Sequence, residues 1–195
     1  EDSISAMGRF TSVFLSCLSF LLFVVLLPHV SSRPAAVPAR RSIVGETCNQ
    51  IARGDPNVDF TFCSQSLRSA AGSDGADLHG LAIISLKLAV ANATSAATRA
   101  KALLKGNGLS RYYKSCLNAC RDVYADAASD LRDATGMIRS GRLVDARVYI
   151  SAAVDAPVVC EDGSQEGGLA SPLAEEDGDL TQLAVIALAI AVRLG

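Results

Sequence analysis

Tryptophan is absent from this 195-residue chain, aromatics make up 5% of it, and only two histidines occur, His29 and His79. With aromatics few, the abundant Ala, Leu, Ser and Asp suit close helix packing better than a sheet core of β-branched and aromatic side chains. A nucleophilic Ser or Cys needs a base within hydrogen-bond reach, usually His. His29 falls in a segment expected to be removed, and His79, in DLHGL at the start of a helix, reads as an ordinary solvated side chain. Carboxylate pairs such as Asp122 and Asp126 could serve acid–base chemistry, but acids four residues apart among arginines are more often a solvated helix face. The sequence has no C-x-x-C pair, no metal-ligand spacing and no Gly-rich phosphate loop opening a helix. No enzyme, no metal and no cofactor is therefore expected. The formal net charge is −2, without a Lys/Arg run, so the basic face that nucleic acid requires is not expected either.

Long hydrophobic runs are likewise few. Arg9 precedes an apolar stretch from Val13 to Leu27, followed by Pro28 and the small residues Ser31 and Ser32. This pattern reads as a secretory signal over residues 1–32, with the residues before Met7 set aside as upstream or non-native. Its fifteen residues, apolar but for Ser16 and Ser19, fall short of the roughly twenty that span a bilayer. Removal would leave 17 basic and 18 acidic side chains and no membrane attachment. Residues 33–41, RPAAVPARR, read as a flexible leader, and one domain is expected over residues 42–195.

Five cysteines remain after the signal: Cys48, Cys63, Cys116, Cys120 and Cys160. In an oxidising compartment four of them should pair, leaving one free or shared between chains. Cys48 and Cys63 flank Gly54-Asp55-Pro56-Asn57, a strong turn signal, so residues 42–70 read as a hairpin of short helices closed by these two cysteines. A loop of that size is worth roughly 3 kcal/mol in the chain-entropy picture. Cys116 and Cys120 share a helix face one turn apart and cannot readily bond each other. On spacing alone, either could bond Cys160.

Four longer segments over residues 74–195 carry helical periodicity. In the first, from about Ala76 to Leu104, Leu78, Leu81, Ile84, Leu88 and Ala91 are expected on one inner face. The second, from about Ser110 to Arg139, repeats the spacing through Tyr113, Cys116, Cys120, Val123, Ala127, Leu131, Ala134 and Ile138. The third, from about Leu143 to Val154, is expected to end before Pro157, with Ala146, Ile150, Ala153 and Val154 inward. A Gly/Ser/acid-rich loop then leads to Leu180–Leu194. That last run could be the tail of a lipid-anchor signal, but Gln182 and Arg193 interrupt it, and without it the other helices lack a partner. The expected fold is all-α, an antiparallel up-down four-helix bundle carrying an N-terminal disulfide-closed hairpin. Asn92-Ala93-Thr94 is a glycosylation acceptor triplet, expected on an accessible side of the first bundle helix.

ETCNQIARGDPNVDFTFCSQSLRS, DLHGLAIISLKLAVANAT, ACRDVYADAASDLRDA and SAAVDAPVVCED resemble, in order and spacing, the plant invertase and pectin methylesterase inhibitor family, over essentially Thr47 to Leu194. The resemblance implies disulfides Cys48–Cys63 and Cys120–Cys160, and so leaves Cys116 as the unpaired thiol. Family members often carry another cysteine in the last helix, where this chain reads Gln182-Leu183-Ala184. It further implies a secreted, apoplastic protein that blocks a target's substrate cleft without being cleaved, in a 1:1 complex, as a monomer or a dimer. Helical phase points to Arg111, Lys114, Asn118, Asp122, Asp126 and Arg139 as contact candidates. Charges of that kind at an interface rim govern pH and salt dependence more than affinity. Gly141-Arg142-Leu143 stands where invertase inhibitors often have Pro-Lys-Phe, which favours pectin methylesterase as target. The SAAVDAPVVCEDG segment and the AVIALAIAVRLG ending look like proteins labelled as invertase inhibitors, which keeps acid invertase as the alternative. A non-inhibitory wall or defence-related protein would share the same features; a small-ligand carrier fits poorly with so many inward alanines.

Overall fold

The computed structural model of the protein describes residues 42–195. The signal and leader expected over residues 1–41 lie outside the described residues. Six α-helices and one 3-10 turn make up the described chain, with no strand among them: α1 (Val44–Gly54), α2 (Phe60–Ser69), the turn Ser73–Gly75, α3 (Leu78–Leu103), α4 (Arg111–Arg139), α5 (Leu143–Glu166) and α6 (Ala174–Arg193).

Local chemistry sets these boundaries. Asp59, Asp77 and Ser110 each cap a helix by accepting the backbone N–H three residues on, at 2.7, 2.8 and 3.1 Å, satisfying a donor the helix itself leaves free. Between α1 and α2, Asp55 Oδ1 accepts the Asn57 N–H and fixes the turn. Helix α4 ends on Gly141 at φ +76° and α5 on Gly168 at φ +69°. In both, the residue after the glycine donates back five positions, Arg142 to Met137 and Leu169 to Ser164. A side chain at either glycine would oppose this left-handed closure.

Helices α3 to α6 form a ring in which successive helices pack against each other and α6 closes back onto α3. Short connections and an antiparallel order make this an up-down four-helix bundle. The α1–α2 hairpin rests on α6 and the start of α3. Cys48–Cys63 closes it, and the Asp59 N–H donates to Gln182 Oε1 on α6 at 2.9 Å. Helix α3 is apolar and long enough to cross a membrane by composition, yet its inner face is the bundle core.

Three helices depart from the sequence reading. On α3 the buried positions are Leu81, Ala82, Ser85, Leu86, Ala89, Ala93, Ala96 and Ala100, roughly 100° round the axis from the expected stripe at 3.6 residues per turn. Ala91 is exposed, and Leu78, Ile84 and Leu88 are half-buried. A helix apolar on nearly every side gives hydrophobicity little power to pick the inner face, and small alanines permit the closest approach. Helix α5 does not end before Pro157 but runs three further turns to Glu166. Proline removes one intrahelical donor; here the ring is buried, and the Cys120–Cys160 bond pins the next turn to α4. Helix α6 begins at Ala174 rather than Leu180, with Glu175, Glu176 and Asp177 in its first turn, where the helix dipole favours acids.

Candidate docking surface

Helix α4 carries the candidate surface because it presents three chemically different sides. Its inner side is the core stripe Leu117, Cys120, Tyr124, Leu131 and Ile138. Cys120 bonds Cys160 on α5. One turn earlier the Cys116 thiol is unpaired and buried, and it donates to the Gly163 carbonyl at 3.0 Å. Beside the disulfide lies a buried polar network. Tyr124, with no exposed surface, donates its hydroxyl to Asp177, which is 1% exposed, and Ser171 donates to the other carboxylate oxygen at 2.6 Å. Burial pushes the Asp177 carboxyl up from its ordinary value, more than the Ser171 and Tyr124 hydrogen bonds lower it. Burial and the facing Asp177 raise the Tyr124 phenol as well. This network joins α4, α6 and the loop between α5 and α6, and the sequence reading missed it. Asp177 lies in helical phase with Leu180, Ala184, Ala187 and Ala191, so extending the α6 stripe backwards would have found it.

Toward α5, helix α4 lines a groove of about 170 Å³ with Val123, Asp126, Ala127 and Asp130, opposite Ala152, Asp155, Ala156 and Val159. Burial, then Asp126 and Asp133, hold the Asp130 carboxyl above its ordinary range. The outer side of α5 continues the surface with Val144, Val148, Val158 and Val159, each about half exposed or more. An acidic groove bordered by unpartnered valines can receive a surface that is basic and partly apolar.

The six contact candidates are not brought together. Arg111, Asn118 and Asp122 follow one outward line on α4. Asp126 turns into the α5 groove, and Arg139 lines the opposite groove, toward α3. Lys114 is exposed, near the α3 side by helical phase. Asp122 also pairs with Arg121 at 2.8 Å. Val158 and Val159 were missed because α5 was expected to stop at Val154, and Val144 and Val148, within the expected helix, were not singled out among its outward residues. Asn92 differs from expectation too: it is half-buried, and its Oδ1 is covered without a hydrogen-bond partner. The rotation of the α3 inner face places Asn92 at the edge of the packing rather than on the open side. His79 is exposed, with Nε2 3.1 Å from the Ile138 carbonyl. Among the described residues no group of three His, Cys, Asp or Glu side chains could hold a metal ion.

Residues 42–190 match the sequence profile of the family described as plant invertase/pectin methylesterase inhibitor. A protein of Platanus acerifolia with the provisional name of an invertase inhibitor is 37% identical over 183 residues, covering 93% of this chain and 97% of that one. The pectinesterase inhibitor of Actinidia deliciosa is 32% identical over 175 residues, covering 89% and 90%. A crystal structure of a mutant pectin methylesterase inhibitor from Arabidopsis superposes with a TM-score of 0.65 at 24% identity, over 77% of this chain and 96% of that one.

Proposed function

The chain belongs to the plant invertase/pectin methylesterase inhibitor family, and on that premise we propose that it is a secreted, apoplastic inhibitor of plant pectin methylesterase. It acts by seating its bundle over the enzyme's substrate cleft in a 1:1 complex, so limiting de-esterification of wall pectin. No residue of the inhibitor reacts; its contribution is a rigid, disulfide-held surface. The observation that carries this reading is the α4–α5 face. It combines carboxylates at Asp126, Asp130 and Asp155 with uncovered valines, on helices tied together by Cys120–Cys160.

The choice of pectin methylesterase rests on the turn between α4 and α5. Gly141 sits there at φ +76°, a backbone that proline, fixed near −65°, does not adopt. The Pro-Lys-Phe that invertase inhibitors often carry near the start of the corresponding helix is replaced here by Gly141-Arg142-Leu143. A second reading, inhibition of acid invertase, is favoured by the name of the Platanus acerifolia relative. Titrating each enzyme with the oxidised chain separates the two. Stoichiometric loss of pectin methylesterase activity, weakened at least about tenfold by Asp126→Lys with unchanged melting, supports the proposal; loss of invertase activity alone replaces it with the second reading.

A further inference from the structure

A near-zero net charge conceals a segregation of charge. From residue 78 to residue 121 the chain holds seven Lys and Arg and not one Asp or Glu, whereas residues 122–179 hold thirteen acids and four bases. Such asymmetry signals a polyanion-facing region that composition averages away. The fold gathers part of it into one groove. Lys87 and Lys101 on α3 face Arg121, Arg132 and Arg139 on α4. Two depressions of about 240 Å³ each share Arg132 and so form one continuous track. Fourteen residues of helix separate Lys87 from Lys101, about 21 Å at 1.5 Å per residue.

Four of the five cations are uncompensated. Arg121 pairs with Asp122, but Lys87, Lys101, Arg132 and Arg139 enter none of the three ion pairs among the described residues. The floor is low and flat, made by Ala97, Ala125 and Ala128. Its hydroxyls are poised as acceptors: Thr94 donates to the Val90 carbonyl at 2.7 Å while receiving Arg132, and Thr98 donates to the Thr94 carbonyl at 2.8 Å. No aromatic side chain lines either depression, so the stacking platform used for nucleic-acid bases is missing. Spaced cations, acceptor hydroxyls and a smooth alanine floor suit a ribbon of sugars bearing carboxylates, with guanidinium and ammonium groups on the carboxylates and threonine oxygens receiving sugar hydroxyls.

We propose that the α3–α4 groove binds a linear carboxylated glycan, on a side of α4 separate from the acidic α5 groove. Such a site would hold the protein on de-esterified wall polymer, and it stands whichever enzyme is the target. The test is binding of the oxidised chain to polygalacturonate, to its fully methyl-esterified form and to single-stranded DNA, each at low and high salt. The expected result is salt-sensitive binding to polygalacturonate, none to the neutral ester, and weaker binding to DNA. Lys87→Gln/Lys101→Gln/Arg132→Gln should weaken polygalacturonate binding at least about tenfold, and Asp126→Asn should leave it unchanged. Enzyme inhibition by the triple variant is a separate readout, expected to persist. If the triple variant does not fold, Lys87→Gln and Lys101→Gln, both at exposed positions, carry the test singly. Equal binding to the neutral ester, binding to DNA as tight as to polygalacturonate, or unaltered binding by the variants would overturn the assignment.

Discussion

Removing the sulfurs of Cys120 and Cys160 together should be the most costly small change available to the bundle. The bond closes a loop of 40 residues between α4 and α5, and the entropy it withdraws from the unfolded chain amounts to about 4 kcal/mol. Both sulfurs are buried at 1% exposure, so serine at each site adds a desolvation cost of about 1 kcal/mol or more unless a partner is found. In a domain of this size about 4 kcal/mol corresponds to a fall in Tm of roughly 8–16 °C. Cys116 is the control, one turn away on the same helix. Its thiol donates to the Gly163 carbonyl, a role a serine hydroxyl can take over, so Cys116→Ser should move Tm by no more than about 4 °C. Differential scanning calorimetry of wild type, Cys116→Ser and Cys120→Ser/Cys160→Ser reads both effects. Equal melting temperatures for the two variants would refute the claim that this one bond holds α4 against α5.

The buried network yields a pH prediction. Asp177 has a folded-state pKa above its ordinary 3.8, so between 3.8 and the raised value the folded chain keeps a proton that the unfolded chain has released. Stability from this group is therefore greatest in acid and declines as pH rises through that window. Asp130 and Asp179, also raised by burial, act with the same sign. Urea midpoints of Asp177→Asn should decline less with rising pH than those of wild type; a steeper decline would contradict the account. Tyr124→Phe leaves ionised Asp177 with Ser171 alone and should cost about 1.5–3 kcal/mol at neutral pH, whereas a Tm equal to wild type would show that the hydroxyl contributes nothing. On the α5 groove, Asp126→Lys should weaken enzyme inhibition at least about tenfold without lowering Tm, and undiminished inhibition would remove that face from the docking surface.

The bundle itself was legible because α4 is strongly two-sided: Cys116, Cys120, Ala127, Leu131, Ala134 and Ile138 recur at helical spacing and are buried. Helix α3 was legible as a helix but not in orientation, since its alanines and leucines lie on every side and only packing selects among them. Pro157 misled for a different reason. Its local cost is real, but burial of the ring and a disulfide three residues later outweigh it, and no local rule sees a tertiary bond. The acids at the start of α6 resembled a loop because Asp177 is a core residue only in the company of Tyr124 and Ser171, 53 and 6 positions away. Of the docking surface, single residues such as Asp122 and Asp126 were visible by helical phase. The grooves were not, because each needs the facing helix: α5 for the carboxylates, α3 for the cations.

The most direct test is a side-by-side titration of plant pectin methylesterase and plant acid invertase with the oxidised chain, at mildly acidic pH. The account predicts stoichiometric inhibition of pectin methylesterase and none of invertase. Inhibition of neither enzyme, by a chain whose two disulfides are intact, would contradict it.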